Sequence, residues 1–385
     1  MEQLIEKPPW KQVVFYKTKT YTKEKIEYGD FLLNIPKELF EKKNEINVYE
    51  EEHRWELAKK LANPYEMVYT HEEKFPYPNI SLIKPLSRSY FKIVEILKAT
   101  NFLKEVAKDV QYLRSAHVAE GPGGFIQGFI DLVEESKKKV KRVDAITLRS
   151  DKQYIPGWKK ASNFLKKYSN IINISYGIDN SGDIYKVENQ NHFVSQLPQK
   201  VHLFTADGGF DFSIDYSLQE KQIFSLLVCS FIIGFQTLTL NGYCIIKLFD
   251  TYSESTQTII SLCGSCFKEY TIYKPVSSRP CNSERYFIGK HYKGVNNEVL
   301  ETLKLIYNNI SYNLYPKLTL CKEEKEYINS ISKIYEINQI QCIDLAKKLA
   351  EDKEHFKEYY KNFFNCSLKF CEEFKIPVKK IVPIF

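Results

Sequence analysis

The sequence predicts an α/β fold, an open and mainly parallel sheet covered by helices on both faces. Two observations carry that prediction. From Leu113 onward, strand-like apolar runs alternate with runs of helical period, and parallel strands need such crossover helices. A glycine turn, Glu120-Gly121-Pro122-Gly123-Gly124-Phe125, joins the first of these strands to the first helix. The composition permits a large packed core: 43% of the 385 residues are hydrophobic, which rules out a mainly disordered chain. Glycine and proline, 15 of each, are too few for collagen-like or low-complexity architecture.

In chain order, residues 1–75 form an N-terminal extension of mixed character that contains the helix-like HRWELAKKLANPYE. Prolines at 76, 78 and 85 mark a connection, and Ser87–Thr100 then has the apolar spacing of an amphipathic helix. RSAHVAE reads as a buried strand, FIQGFIDLVEE as a helix and KRVDAITL as a second strand, with a helix following near Gly157–Tyr168. NIINISYGI and VHLFTADGG are further strands separated by a polar loop. A long apolar helix from about Ser217 to Leu238 leads straight into the strand GYCIIKLFD. TQTIISLCGSCF is the next helix, and EYTIYKP and RYFIGKHY close the sheet as a terminal pair. Residues 76–293 make the α/β domain, and 294–385 form a helical C-terminal region.

Charge is unevenly spread. The formal net charge is +7, yet residues 61–160 hold 17 Lys/Arg against 12 Asp/Glu while the first 60 residues balance. A local basic excess suits a polyanion such as RNA, though a solvated lysine-rich surface has the same composition. The opening MEQLIEKPPWKQ lacks the apolar core of a secretory signal. The longest apolar stretch, Ile223–Phe235, is broken by two serines and falls short of the ~18 residues a bilayer span needs. A soluble protein without membrane contact is expected. Nine cysteines, an odd number, speak against a disulfide framework. Cys263 and Cys266 form a CxxC without a second ligand pair, so reduced core cysteines are expected and no metal.

Ligands of open α/β sheets bind at the C-terminal ends of the strands. There the glycine turn lets a ligand approach the main chain, although plain tight turns are also built this way. Asp207 follows the apolar run VHLFTA, Lys247 ends the buried strand YCII, and Glu284 precedes the last strand. Lys92, on the amphipathic helix, is a fourth candidate. A lysine closing a hydrophobic strand is costly unless it is paired or reaches water. Each of these residues, taken alone, is better read as a strand ending at the solvent boundary than as a site residue.

Taken together, the segments resemble a known family. AEGPGGF (119–125), AITLRSD (145–151), SGDI (181–184), TADGGFDFS (205–213), CIIKLFDTYS (244–253) and KPVSSRPCNSERYFIGK (274–290) occur in the order and spacing of FtsJ/RrmJ-like 2′-O-ribose methyltransferases. The likeness is greatest to their mRNA-cap branch, which includes eukaryotic cap-1 enzymes and related domains of large DNA viruses. ANPYE (62–66) and SRSYFK (87–92) look like the same branch, so the resemblance runs from about residue 55 to 293.

The resemblance implies a Rossmann-like class I methyltransferase fold, a mainly parallel seven-stranded sheet with an antiparallel terminal strand. It implies a catalytic tetrad of Lys92, Asp207, Lys247 and Glu284, with Lys247 as general base and its pKa lowered by burial, a second lysine and a cationic cofactor. The cofactor implied is S-adenosyl-L-methionine (SAM), held by Glu120, Gly121, Pro122, Gly123, Gly124, Phe125, Thr147, Leu148, Asp183 and Asp207. The substrate implied is RNA, in particular capped mRNA, with Arg88, Arg149, Ser278, Arg279 and Asn282 as candidate contacts and other capping enzymes as partners. Aromatics for stacking on 7-methylguanine would come from Tyr65, Tyr69, Phe75 or Tyr77, and phosphate contacts from Lys84 or Lys152. Ribosomal or transfer RNA as substrate, and an inactive RNA-binding subunit, are the alternatives. The expected location is intracellular, cytoplasmic or nuclear, with a cytoplasmic replication site or virion for a viral source.

Overall fold

The computed structural model describes residues 11–19, 25–70, 77–106, 108, 110–152, 155–209 and 218–380. Its strands are β1 (Tyr16–Lys17), β2 (Glu27–Gly29), β3 (Tyr112–Val118), β4 (Lys139–Ile146), β5 (Ile172–Ser175), β6 (Val201–Ala206), β7 (Leu238–Phe249), β8 (Phe267–Tyr273), β9 (Glu284–Tyr292) and β10 (Tyr315–Lys317). The main sheet runs β5-β4-β3-β6-β7-β9-β8-β1. β5, β4, β3, β6 and β7 are mutually parallel, while β9 is antiparallel to both β7 and β8. The Rossmann-like fold is present, with β9 as the reversed strand. The seven expected strands gain an eighth, β1, whose two residues pair with Tyr270 and Glu269 of β8.

The helices used below are α1 (Lys37–Glu51), α2 (Trp55–Leu61), α3 (Ser89–Ala99), α4 (Gly124–Glu135), α5 (Val187–Ser195), α6 (Gln219–Thr237), α7 (Glu254–Gly264), α8 (Asn297–Ile310), α9 (Lys322–Glu351) and α10 (Phe356–Glu373). Every residue of β6 is buried, as befits a central parallel strand covered on both faces. On one face lie α5 to α8, joined through Phe204, Phe224, Phe231, Ile260 and Leu303. α6 is apolar on most sides because it is sandwiched between the sheet and α8. α3 and α4 cover the other face with Ile93, Phe129 and Trp158. Cys263 and Cys266 are both buried in the core. Among the described residues no helix is long and apolar enough to cross a membrane.

Helices from the two ends of the chain share a further core. Leu39, Trp55 and Leu61 pack with Ile343, Leu349, Phe363 and Phe370, against Phe91 and Val94 on the outer side of α3. α2 stops at Leu61, earlier than its sequence pattern suggests, because Asn63 turns its side chain onto Glu66, Tyr69 and the Tyr65 amide ahead of Pro64. Lys43 of α1 reaches Asp250 at 2.6 Å, and Arg285 of β9 reaches the same carboxylate at 3.0 Å. All three are 2% exposed or less, so the N-terminal helix is tied directly to the strand ends that carry the candidate site.

Candidate active site

Strand register brings the ionisable residues together. β6 pairs with β7 so that Ala206 faces Ile246, which sets Asp207 beside Lys247. The Lys247 ammonium donates to the Asp207 carbonyl at 2.8 Å and lies 3.1 Å from its carboxylate. Across β7, Tyr286 of β9 is the partner of Lys247, and its hydroxyl donates to the same Asp207 carboxylate at 2.7 Å. Glu284 opens β9 opposite Phe249, and Lys92 of α3 comes within 2.7 and 2.9 Å of its two oxygens. The four side chains predicted as a tetrad are thereby two buried ion pairs whose charges also act across the pairs.

The electrostatics differ from the expectation in one respect. Burial pushes the Lys247 ammonium down, but Asp207, Glu284 and Glu120 outweigh it and hold the group above the usual lysine value. The expected lowering rested on burial, a second lysine and a cationic cofactor, whereas three carboxyl groups converge on this ammonium. Burial likewise pushes the Glu284 carboxyl up, yet Lys92, Lys247 and Lys274 together hold it well below the usual carboxylate range.

The glycine turn links β3 to α4. Gly123 has φ of +103°, a conformation that favours glycine. A Cβ at Gly124 would collide with the hydroxyls of Ser87 and Ser89, and one at Gly121 with the Pro156 carbonyl. At those two positions packing within the protein already demands glycine. Pro122 lies in the turn itself. Phe125 is fully buried; its amide donates to Glu120 at 2.7 Å and its ring packs against Tyr286. Thr147 accepts from the Gly121 amide at 3.3 Å, and Leu148 beside it is 40% exposed. The Arg149 amide donates to the Ser181 carbonyl at 2.7 Å, which draws the loop of Asp183 alongside the glycine turn.

Glu120 is the feature that most suggests an absent group. It is 2% exposed, and one of its oxygens is buried with no hydrogen-bond partner. Burial and the nearby Asp207 push its carboxyl well up. An orphaned acid at the foot of a nucleotide-type turn fits a ligand that supplies a positive donor, such as the ammonium of an amino acid. The Trp158 indole N–H, beside Gly123, is a second buried polar group without a partner.

The candidate RNA contacts fall into two sets. Arg88, half-exposed, stacks over Tyr69 at 5.4 Å, and Arg149, exposed, stacks over Tyr176 at 5.5 Å. Ser278, Arg279 and Asn282 are engaged inside the protein. Arg279 donates to both oxygens of the buried Glu66, at 3.0 and 2.7 Å, and Asn282 accepts from Lys274 and from the Ser278 hydroxyl. Tyr65 and Tyr69 are core residues, 4% and 3% exposed, so neither offers a free face for stacking. Tyr77 packs against Phe356 and Tyr360 of α10, and Phe75 lies outside the described residues, as does the 210–213 part of TADGGFDFS.

Sequence reasoning missed how the 274–284 loop is held. Glu95, one turn beyond Lys92 on α3, accepts from the Tyr273 hydroxyl, the Val276 and Ser277 amides and the Ser277 hydroxyl. Gln339 of α9 donates to the Cys281 carbonyl at 3.0 Å. The co-occurrence of ANPYE with SSRPCNSERY was the available signal, because Glu66 of the first pairs with Arg279 of the second.

An open α/β sheet with buried lysine–carboxylate pairs beside a glycine turn puts the chain in the Rossmann-like fold class. The chain belongs to the FtsJ-like methyltransferase family, whose model matches residues 85–292. It is 28% identical over 359 residues to cap-specific mRNA (nucleoside-2′-O-)-methyltransferase 1 of Dictyostelium discoideum, covering 86% of this chain and 45% of that protein. With the Mus musculus protein of the same name the identity is 30% over 258 residues, covering 64% of this chain and 29% of that one. The chain therefore spans less than half the length of these curated relatives. A solved ribosomal RNA methyltransferase from Plasmodium falciparum matches 54% of this chain and 99% of its own, at 16% identity and a TM-score of 0.38.

Proposed function

We propose that this chain is a SAM-dependent mRNA cap ribose 2′-O-methyltransferase, acting on the 2′-hydroxyl of a cap-proximal nucleotide. The observation that carries the reading is the convergence of Lys92, Asp207, Lys247 and Glu284 at the ends of β6, β7 and β9. The names of the relatives support the capped substrate. In this reading residues 76–293 are the methyltransferase domain, with 1–75 and 294–385 as extensions.

Bound SAM supplies a methyl group on a positively charged sulfur. Glu120 would hold the cofactor's ammonium, the 121–124 turn its amino-acid portion, and Thr147, Leu148 and Asp183 its nucleoside. Lys247 takes the proton from the ribose hydroxyl, and Asp207, fixed by Tyr286, holds the lysine in place. Lys92, clamped by Glu284, orients the same hydroxyl and adds positive charge where the alkoxide develops. Arg149 is the candidate free enough of the interior to meet RNA phosphates, whereas Arg88 is half-exposed with one guanidinium nitrogen turned inward toward Glu66.

The sign of the pH dependence follows from the carboxyl groups. Because they raise Lys247, methyl transfer increases with pH through neutrality as the ammonium gives up its proton. Asp207→Asn removes a negative charge, favours the neutral amine and moves the rising limb of kcat to lower pH, while lowering its plateau. A limb that stays in place or moves to higher pH would count against Lys247 as the base.

The direct test is transfer of labelled methyl to m7G-capped and uncapped RNA of one sequence, with mapping of the modified ribose. Strong preference for the capped RNA, with label on a cap-proximal 2′-oxygen, is expected. Equal transfer to both would favour a ribosomal or transfer RNA enzyme. SAM binding without transfer to any RNA would favour an inactive subunit.

A further inference from the structure

We infer that Lys274 is a positioning residue for this reaction, holding the Asn282–Glu284 backbone so that the Glu284 carboxylate meets Lys92. The inference rests on the methyltransferase reading of the site. Lys274, partly buried, follows the last residue of β8, and its ammonium lies against the loop that returns to β9. It makes three hydrogen bonds there: to the Asn282 carbonyl at 2.7 Å, the Asn282 side-chain oxygen at 2.7 Å and the Glu284 carbonyl at 2.9 Å. An ammonium has three N–H donors, and all three are spent on this one turn. The Asn282 side-chain oxygen passes the restraint on, accepting also from the Glu284 amide at 3.2 Å. Lys274 acts on Glu284 through the loop its three hydrogen bonds tie down, and its charge adds to that of Lys92 and Lys247 on the carboxylate.

The protonation state of this lysine matters because the match of donors to acceptors is complete only for the cation. Neutral, the amine keeps two donors and turns a lone pair toward a carbonyl oxygen. Glu284 favours the cation, as does Cys342 of α9, while burial, Arg285 and Lys92 oppose it; the Tyr335 hydroxyl of α9 meets only the Lys274 backbone amide. Burial is the largest of these and pushes the ammonium down to about 7. Below that pH the clamp is whole. Above it, one of the three bonds is lost and the turn loosens.

The test uses the full chain, SAM and m7G-capped RNA as methyl acceptor. Lys274→Met keeps the length and loses the donors; kcat should fall about tenfold or more while KM for SAM and RNA moves less than about threefold. Lys274→Arg, which keeps a cation with several donors, should recover part of kcat. In the unsubstituted protein, log kcat should bend near pH 7, and the bend should be missing in Lys274→Met. A second measurement needs neither a variant nor turnover. Amide hydrogen exchange at Asn282–Glu284, corrected for intrinsic chemistry, should lose about tenfold in protection between pH 6 and 8.5. Protection that stays flat over that range, or a folded Lys274→Met with unchanged kcat and pH profile, overturns the inference. Absence of transfer to any RNA alongside the expected exchange result would overturn the methyltransferase reading and leave the clamp standing.

Discussion

Lys247→Ala should lower kcat for methyl transfer by about a thousandfold while SAM affinity stays within a few-fold of the original. General-base assistance accounts for about 10²–10⁴ in rate, and the lysine also occupies the centre of the charge arrangement, between Asp207 and Glu284. SAM affinity is expected to hold because the atoms assigned to the cofactor sit on the glycine turn and the 147–183 side of the sheet, apart from β7. The strand should survive the change. Lys247 is at its C-terminal end, beyond Ile245 and Ile246, whose burial holds it in the core. Single-turnover transfer and calorimetric SAM titration on the folded variant give the two readings. Retained transfer would remove Lys247 from the base role, and lost SAM binding would move it to the cofactor site.

Glu66→Ala should be the most destabilising single substitution near the site, at about 3–5 kcal/mol, since it strands a buried charge. Glu66 is fully buried and takes hydrogen bonds from Arg279, Asn63 and Thr70, with Arg88 at 3.7 Å. Burial pushes its carboxyl up, but Arg279 and Arg88 outweigh it and keep it charged. Without it the Arg279 guanidinium, 12% exposed, has lost its bidentate partner and can reach water only by moving the SSRP turn. Because that turn leads into Glu284, transfer should fall along with stability. A shifted urea midpoint at unchanged slope would register the loss. A midpoint change worth less than about 1 kcal/mol would mean that Arg279 finds water or another partner easily.

How much was legible beforehand depended on whether a feature is local. The strands around AEGPGG, ITL, TADGG and IIKLFD announce themselves, because burial on both faces demands continuous apolar runs and the turn after β3 demands glycine. That Lys92, Asp207, Lys247 and Glu284 belong together was implied by the family resemblance of the segments that carry them, and the structure brings the four side chains into two ion pairs. What those residues do to each other was not legible. Lys92 and Glu284 are 192 residues apart, and Glu66 and Arg279 are 213 apart. Two of the cap-stacking candidates, Tyr65 and Tyr69, look like any other aromatics in the sequence, and only the fold encloses them in the core.

By itself, the amino-acid sequence determined the order of strands and helices, the glycine turn and the kinds of charge available at the strand ends, since these depend on neighbours within a few residues. The tertiary structure alone decided that Tyr286 would hold Asp207, that Lys274 would clamp the loop behind Glu284, and that Lys247 would sit above its ordinary pKa. The reason is physical. Strand register and helix packing set which charges share a low-dielectric space, and interaction energy there follows distance in space, not separation along the chain.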